Sequence, residues 1–202
     1  MPRPSNTGER RREIVEALIA VMARQGYEGA SIAAVAAEAG LVPGLVHYHF
    51  DSKLAILIEV VGVLHDRLRE RTARFLARAA DDPRARLDAF LDAHVATGPD
   101  ADPAAVACWV ALAAEAIRVP EVRDVYQQVV RAELAELERL VAAVQGDATG
   151  ARASAAALYA AIQGAYQLAT AAPGSTPAGF AAPALRRMAD ALTSPTRVRR
   201  RA

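Results

Sequence analysis

The segment from Ser31 to Lys53 reads SIAAVAAEAGLVPGLVHYHFDSK, and its spacing predicts a short helix, a tight turn and a second short helix. Ser31 can open the first helix, because its hydroxyl can accept a bond from an orphan N–H of the first turn. Ile32, Val35 and Ala36 recur at helical spacing and form one apolar face. Ala36 is small enough to let a second helix approach closely. Gly40 follows where the chain must reverse and where a positive φ is easiest for glycine. Pro43 suits the first turn of the next helix, since its missing N–H is no loss there. Val46 would then point back and lock the second helix onto the first. An ordinary helical hairpin with a glycine turn shares several of these marks.

The residues after Val46 separate the two. His47, Tyr48 and His49 are consecutive hydrogen-bonding rings on a helix too short to bury them all, and Phe50 is the apolar anchor. Asp51 or Ser52 caps another helix, and Lys53 falls in its first turn. A cation there opposes the helix dipole. Lys53, the single lysine in the chain, is thereby read as facing an outside anion such as a phosphate.

With Gly26-Tyr27, Ser31-Ile32, Val35-Ala36, Ala39-Gly40, Gly44 and the string His47 to Lys53, residues 10–60 resemble the DNA-binding domain of the tetracycline-repressor (TetR) family of bacterial transcription regulators. In that family the last string usually reads aromatic-x-aromatic-Phe-x-Ser-Lys. The resemblance implies that a helix over about Pro43–Phe50 enters the major groove. It implies DNA contacts from Ser31, Pro43, Gly44, His47, Tyr48, His49 and Lys53. Two positions depart from the pattern: Val42 stands where the family commonly has Ser or Thr, and His47 replaces the usual tyrosine. Both bear on which operator is read, not on the fold.

Composition narrows the remainder. The chain has 202 residues and is 53% hydrophobic but only 5% aromatic. Alanine, leucine and arginine at this density favour helices, and no alternating Val/Ile/Thr run with hairpin turns is present. The expectation is an all-α fold of about nine helices. An N-terminal three-helix helix-turn-helix domain would be followed by a C-terminal helical ligand-binding and dimerisation domain. The expected divisions are 1–52, 53–194 and a basic tail at 195–202. Cys108 is the sole cysteine, so no internal disulfide is possible and the cytoplasm is the natural compartment. No apolar run is long enough to span a membrane, and the start of the chain lacks the apolar core of a signal peptide.

Net charge is +1, which argues against a nonspecific architectural DNA protein, since such binding is almost wholly electrostatic. Within residues 1–60, Arg3, Arg10, Arg11, Arg12, Arg24 and Lys53 are outnumbered by Glu9, Glu13, Glu16, Glu28, Glu38, Asp51 and Glu59. Placement has to compensate: Arg3 and Arg10–Arg12 cluster at the start, Lys53 lies by the ring string, and phosphate contacts need local cations.

Helix one is expected from Asn6 or Thr7 to about Gln25, ended by Gly26, and helix four from Ser52 to about Ala80. Helices five to eight follow at about Pro83–Thr97, Ala104–Val119, Glu121–Gln145 and Ala151–Ala172. The ninth either starts near Thr176 and kinks at Pro183 or begins at Pro183 and runs to about Leu192. The segment Trp109–Arg123, WVALAAEAIRVPEVR, is similar to the C-terminal domain of the choline-sensing branch of the family. Family resemblance implies a homodimer through the last two helices.

No catalytic, metal-binding or cofactor-binding constellation is present in the sequence. His65 and His94 read as isolated, and Cys108 as buried filler. Phe90, His94, Trp109, Tyr126, Tyr159, Gln163 and Tyr166 are the large or polar side chains in an alanine background, and they are the candidate lining of an effector pocket. Glu115 could attract a cationic ligand or pair with Arg118. The expected function is a ligand-responsive regulator, released from a palindromic double-stranded DNA operator by a small molecule. The rival is a helical small-molecule binding protein or enzyme whose helix-turn-helix does not touch DNA.

Overall fold

The computed structural model describes residues 7–194. Arg3, most of the N-terminal arm and the basic tail lie outside the described residues. Among those described, every regular element is helical: α1 (Thr7–Gly29), α2 (Ile32–Glu38), α3 (Pro43–His49), α4 (Lys53–Arg78), α5 (Pro83–His94), a 3-10 turn (Gly98–Asp100), α6 (Pro103–Arg118), α7 (Pro120–Gln145), α8 (Ala151–Ala171) and α9 (Ala181–Thr193).

The boundaries follow local chemistry. Gly26 interrupts α1 with φ 70° and ψ 174°, as its position suggested, but the chain coils again as far as Gly29. Asp82 caps α5 by accepting from the backbone N–H groups of Arg84 and Ala85, and Asp102 caps α6 by accepting from Ala105. Pro120 does more than stop α6, for it is the first residue of α7, where no N–H is needed. Helix α9 matches neither expected start. It begins two residues before Pro183, so the proline sits in the first turn, and the first intrahelical bond comes from Ala184 N–H to the Phe180 carbonyl at 3.2 Å. No donor is lost and no kink is required.

The chain divides into two compact units: Met1–Arg67 with Asp102–Val129, and Leu68–Ala101 with Val130–Ala202. In the first, Ile14, Leu18, Ile19 and Met22 of α1, Val35 and Ala36 of α2, Val46 and Phe50 around α3, and Ile56, Leu57, Val60 and Val61 of α4 are all buried. Helix α6 packs along α1 with Cys108 and Leu112 fully enclosed. The Cys108 thiol lies 3.4 Å from the Ile19 carbonyl. In the second unit, Leu87, Phe90 and Leu91 of α5, Leu137, Leu140 and Val141 of α7, Leu158 and Ile162 of α8, and Leu185 and Ala189 of α9 form the core. Arg84 and Arg186 tie α5 and α9 together through Asp190 and Asp92.

Candidate functional site

The first candidate surface is built by α2, the turn and α3. Ala34 N–H donates to Ser31 Oγ at 3.1 Å, so Ser31 caps α2. At the other end Leu41 N–H donates to the Ala36 carbonyl at 2.8 Å and Gly40 N–H to the Ala37 carbonyl at 3.2 Å. Gly40 has φ +65°. This pair of bonds around a left-handed glycine is the Schellman closure, which satisfies the last carbonyls of a helix while reversing the chain. Pro43 then opens α3, and Val42 caps it without any side-chain bond. Val46 is fully buried, and this fixes the roll of α3.

Because Val46 and Phe50 point inward, Pro43, Gly44, His47 and Tyr48 point outward. Tyr48 is 78% exposed and Val42 69%. Both are free to meet a partner on this face. His49 is half-buried and packs edge-on to Tyr48, with ring centroids 5.1 Å apart.

The cations do not stand as the sequence suggested. Lys53 opens α4, while Ser52 Oγ caps it by accepting from Ala55 N–H at 3.1 Å. Lys53 Nζ donates to the Tyr27 carbonyl at 2.9 Å and lies 4.1 Å from the centre of the Tyr27 ring. A carbonyl and a π face, not only an outside anion, account for a lysine at this helix start. Arg10 pairs with Glu13 at 2.6 Å and Arg24 with Glu38 at 2.5 Å. Arg11 is engaged by Glu59 and by the His49 carbonyl. Arg12 is exposed. Most of the local cations expected to face phosphate are therefore paired within the protein.

Behind this surface, Arg118 bridges Glu28 at 3.0 Å and Glu115 at 2.8 Å. Burial raises the Tyr27 phenol pKa, and the negative charges of Glu115 and Glu28 raise it further. Trp109 and Tyr126 meet at 6.1 Å between ring centroids. Burial also raises the Tyr126 phenol.

The second unit gathers Phe90, His94 and Tyr166. His94 is buried, with Nδ1 3.0 Å from the Phe90 carbonyl and Nε2 3.1 Å from a Glu133 carboxylate oxygen. The carbonyl can only accept, so the bond to it is made by the tautomer that carries its proton on Nδ1. The Tyr166 hydroxyl donates to the His94 carbonyl at 3.1 Å. The Phe90 and His94 rings are 4.4 Å apart. Tyr159 and Gln163 are half-buried on α8.

Of the expected pocket residues, then, Trp109 and Tyr126 meet in one unit and Phe90, His94 and Tyr166 in the other. His94 is not isolated. Glu133 was not anticipated, although a signal existed: it falls four residues after Val129 and four before Leu137, on the buried stripe of α7.

Two family models match this chain. Residues 14–60 match bacterial regulatory proteins of the tetR family, and residues 83–194 match the C-terminal segment of BetI-type transcriptional repressors. The chain belongs to the TetR family. Within it, the HTH-type transcriptional regulator BetI of Agrobacterium fabrum is 33% identical over 145 residues, covering 69% of each chain. BetI of Rhizobium meliloti is 33% identical over 123 residues, which span 61% of this chain and 60% of that protein. A Saccharomonospora viridis transcriptional regulator solved in complex with choline superposes with a TM-score of 0.75 at 26% identity, covering 91% of this chain and 95% of that one. A Pseudomonas aeruginosa regulator shares the fold with a TM-score of 0.78 at 23% identity, over 92% of this chain and 91% of that one. The TetR family is one of regulatory proteins rather than enzymes.

Proposed function

We propose that this chain is a ligand-responsive transcriptional repressor that reads a near-palindromic operator with α3, one half-site per subunit. The observation that carries the reading is the outward face of α3, where Tyr48, His47 and Gly44 stand clear of a buried Val46. Residues up to 52 form the reading head, with Ser31, Pro43, Gly44, His47, Tyr48, His49 and Lys53 as the DNA-facing set. The amides at the starts of α2 and α3 supply partial positive charge where arginines are already paired. Residues 53–194 carry effector binding and dimerisation.

Two copies associate through α8 and α9. Ala153, Ala156, Ala160, Gly164 and Leu168 are exposed at helical spacing along α8, and Met188 is exposed on α9. Small residues of this kind allow close helix approach. The effector is a small molecule, and the choline complex of the Saccharomonospora relative makes choline the first compound to assay. Among the described residues no helix is long and apolar enough to cross a membrane, which fits a regulator acting in the cytoplasm. Effector coupling of this kind typically changes DNA affinity by about 5–150-fold.

The test is fluorescence anisotropy of the protein on DNA upstream of its own coding sequence, at physiological salt with excess random competitor. Binding in the range of about 1–100 nM that survives competitor supports the reading. If no duplex binds specifically, even after selection from random sequence, the reading fails.

A further inference from the structure

Arg11 has the look of a phosphate contact in the sequence, sitting in the run Arg10-Arg11-Arg12 near the start of α1. The structure gives it a different occupation. One guanidinium N–H group donates to the backbone carbonyl of His49, the last residue of α3. A second nitrogen pairs with Glu59 of α4. The guanidinium carbon lies 4.0 Å from the centre of the Phe50 ring. One side chain of α1 therefore grips the end of α3, the residue that caps it and the helix that follows.

The physical consequence concerns orientation. Helix α3 has seven residues, about two turns, so its aim depends on how its ends are held. Its first end is set by the glycine turn at Gly40 and its middle by Val46. Its last carbonyls have no intrahelical partner. Arg11 supplies one donor to them and places a positive charge at the negative end of the helix dipole. The planar guanidinium fork suits this arrangement because its donors diverge at fixed angles, whereas an ammonium is a single point.

We propose that Arg11 is a positioning residue for DNA reading: with Glu59 it holds the C-terminal end of α3, and so aims His47 and Tyr48, without itself contacting nucleic acid. The idea rests on α3 being the reading helix. It makes Glu59, an anion on α4, a contributor to DNA affinity.

The test uses the full chain and a duplex recovered by the unaltered protein from a random-sequence selection. Affinity is followed against salt for Arg11→Met, Arg11→Lys and Glu59→Gln. Loss of a charge-assisted bond predicts weakening by about tenfold for Arg11→Met. The slope of log affinity on log salt stays as in the parent, because no phosphate contact is removed. Arg11→Lys keeps the charge but loses the fork, and it behaves like Arg11→Met. Glu59→Gln weakens binding severalfold although it removes a negative charge. The proposal is overturned if Arg11→Lys binds like the parent while Arg11→Met lowers the salt slope by about 0.9, the signature of one lost phosphate contact. It is equally overturned if Glu59→Gln tightens binding. Amide exchange supplies a readout that needs no DNA: residues 43–50 should exchange faster in Arg11→Met and Glu59→Gln, with residues 14–22 unchanged. If selection recovers no duplex, the repressor reading fails. The exchange result then decides the clamp alone, and unaltered exchange refutes it.

Discussion

Two glycines four residues apart should respond in opposite senses to the same substitution. Gly40 has φ +65°, and Gly44 lies in α3 without a positive φ. An added Cβ meets nothing within 4 Å at either position. Crowding is therefore excluded as a cause, and only backbone preference remains. At Gly40 an L-alanine must hold the left-handed conformation, at a cost of about 1–2 kcal/mol. Escaping it would break the bonds from Gly40 and Leu41 to the end of α2. At Gly44 alanine narrows the unfolded ensemble and suits the helix, so stability should rise by about 0.4–1 kcal/mol. The function should separate from the stability. Gly44 is exposed on the outward face of α3, where a methyl group would stand between backbone and DNA. Gly44→Ala should thus give a more stable protein with weaker operator binding. Chemical denaturation of both variants, with anisotropy on the selected duplex, checks this. A neutral or stabilising Gly40→Ala would refute the assignment of the turn. A Gly44→Ala that binds as tightly as the parent would refute close approach of α3 to the groove at that point.

Lys53→Met should destabilise the protein by about 1–2 kcal/mol even without DNA, because the bond to the Tyr27 carbonyl and the contact with its ring are lost; a thermal melt unchanged from the parent would show that the lysine is not clamped. Replacing His94 by Leu removes the hydrogen bond to the buried Glu133 carboxylate and should cost about 1–3 kcal/mol. The double variant with Glu133→Leu should recover part of that loss, and a cycle with no coupling would exclude the pair. The Cys108 thiol is pushed up to about 12 from 9.0, mainly by burial and next by the charge of Asp102, with Arg67 opposing. A folded pKa raised above the unfolded one means stability that is intact below pH 9 and declines as pH rises toward 12. Cys108→Ala should flatten the decline in denaturation midpoint over that window, and an identical decline in both proteins would count against it. The native thiol should also resist alkylation at pH 8, well below that range, and react at once in denaturant.

The parts of the fold that were legible in the sequence are those decided by neighbours in the chain. Ser31, Gly40 and Pro43 each set a local backbone conformation, and Val46 identifies the inward side of α3, so helix, turn and helix followed from spacing. Pro120 and Pro183 each fall in the first turn of a helix, where a missing N–H costs nothing, so neither breaks its helix. What was not legible depends on partners distant in sequence. The groups gripped by Arg11 lie 38 and 48 residues away, and no local pattern tells a guanidinium whether its acceptor will be a phosphate or a helix end. The helix dipole disfavours Lys53 at the start of α4, and the carbonyl that offsets this, that of Tyr27, lies 26 residues earlier. The candidate pocket lining consists of the large or polar side chains in an alanine background, and neither property says which side chains share a core. Trp109 and Tyr126 meet within the first unit, and Phe90, His94 and Tyr166 meet within the second.

The pairing of the arginines changes how a nearly neutral reading head can work. Arg10, Arg11 and Arg24 all have carboxylate partners, and Lys53 has a carbonyl and a ring. If those arginines were the phosphate contacts, binding DNA would first mean breaking pairs already made. The arrangement is better understood as a frame. Arg11 holds the end of α3, Lys53 holds the start of α4 against Tyr27 in α1, and Arg24 holds α1 against Glu38 of α2. Such half-exposed pairs add little stability one at a time. Their joint effect is to leave α3 little freedom of orientation, so that hydrogen bonds from helix amides and from His47 and Tyr48 can form without a further ordering cost. Attraction at long range would be weak in a molecule with a net charge of +1, and discrimination would rest mainly on short-range fit. A repressor of this kind would gain little from nonspecific DNA.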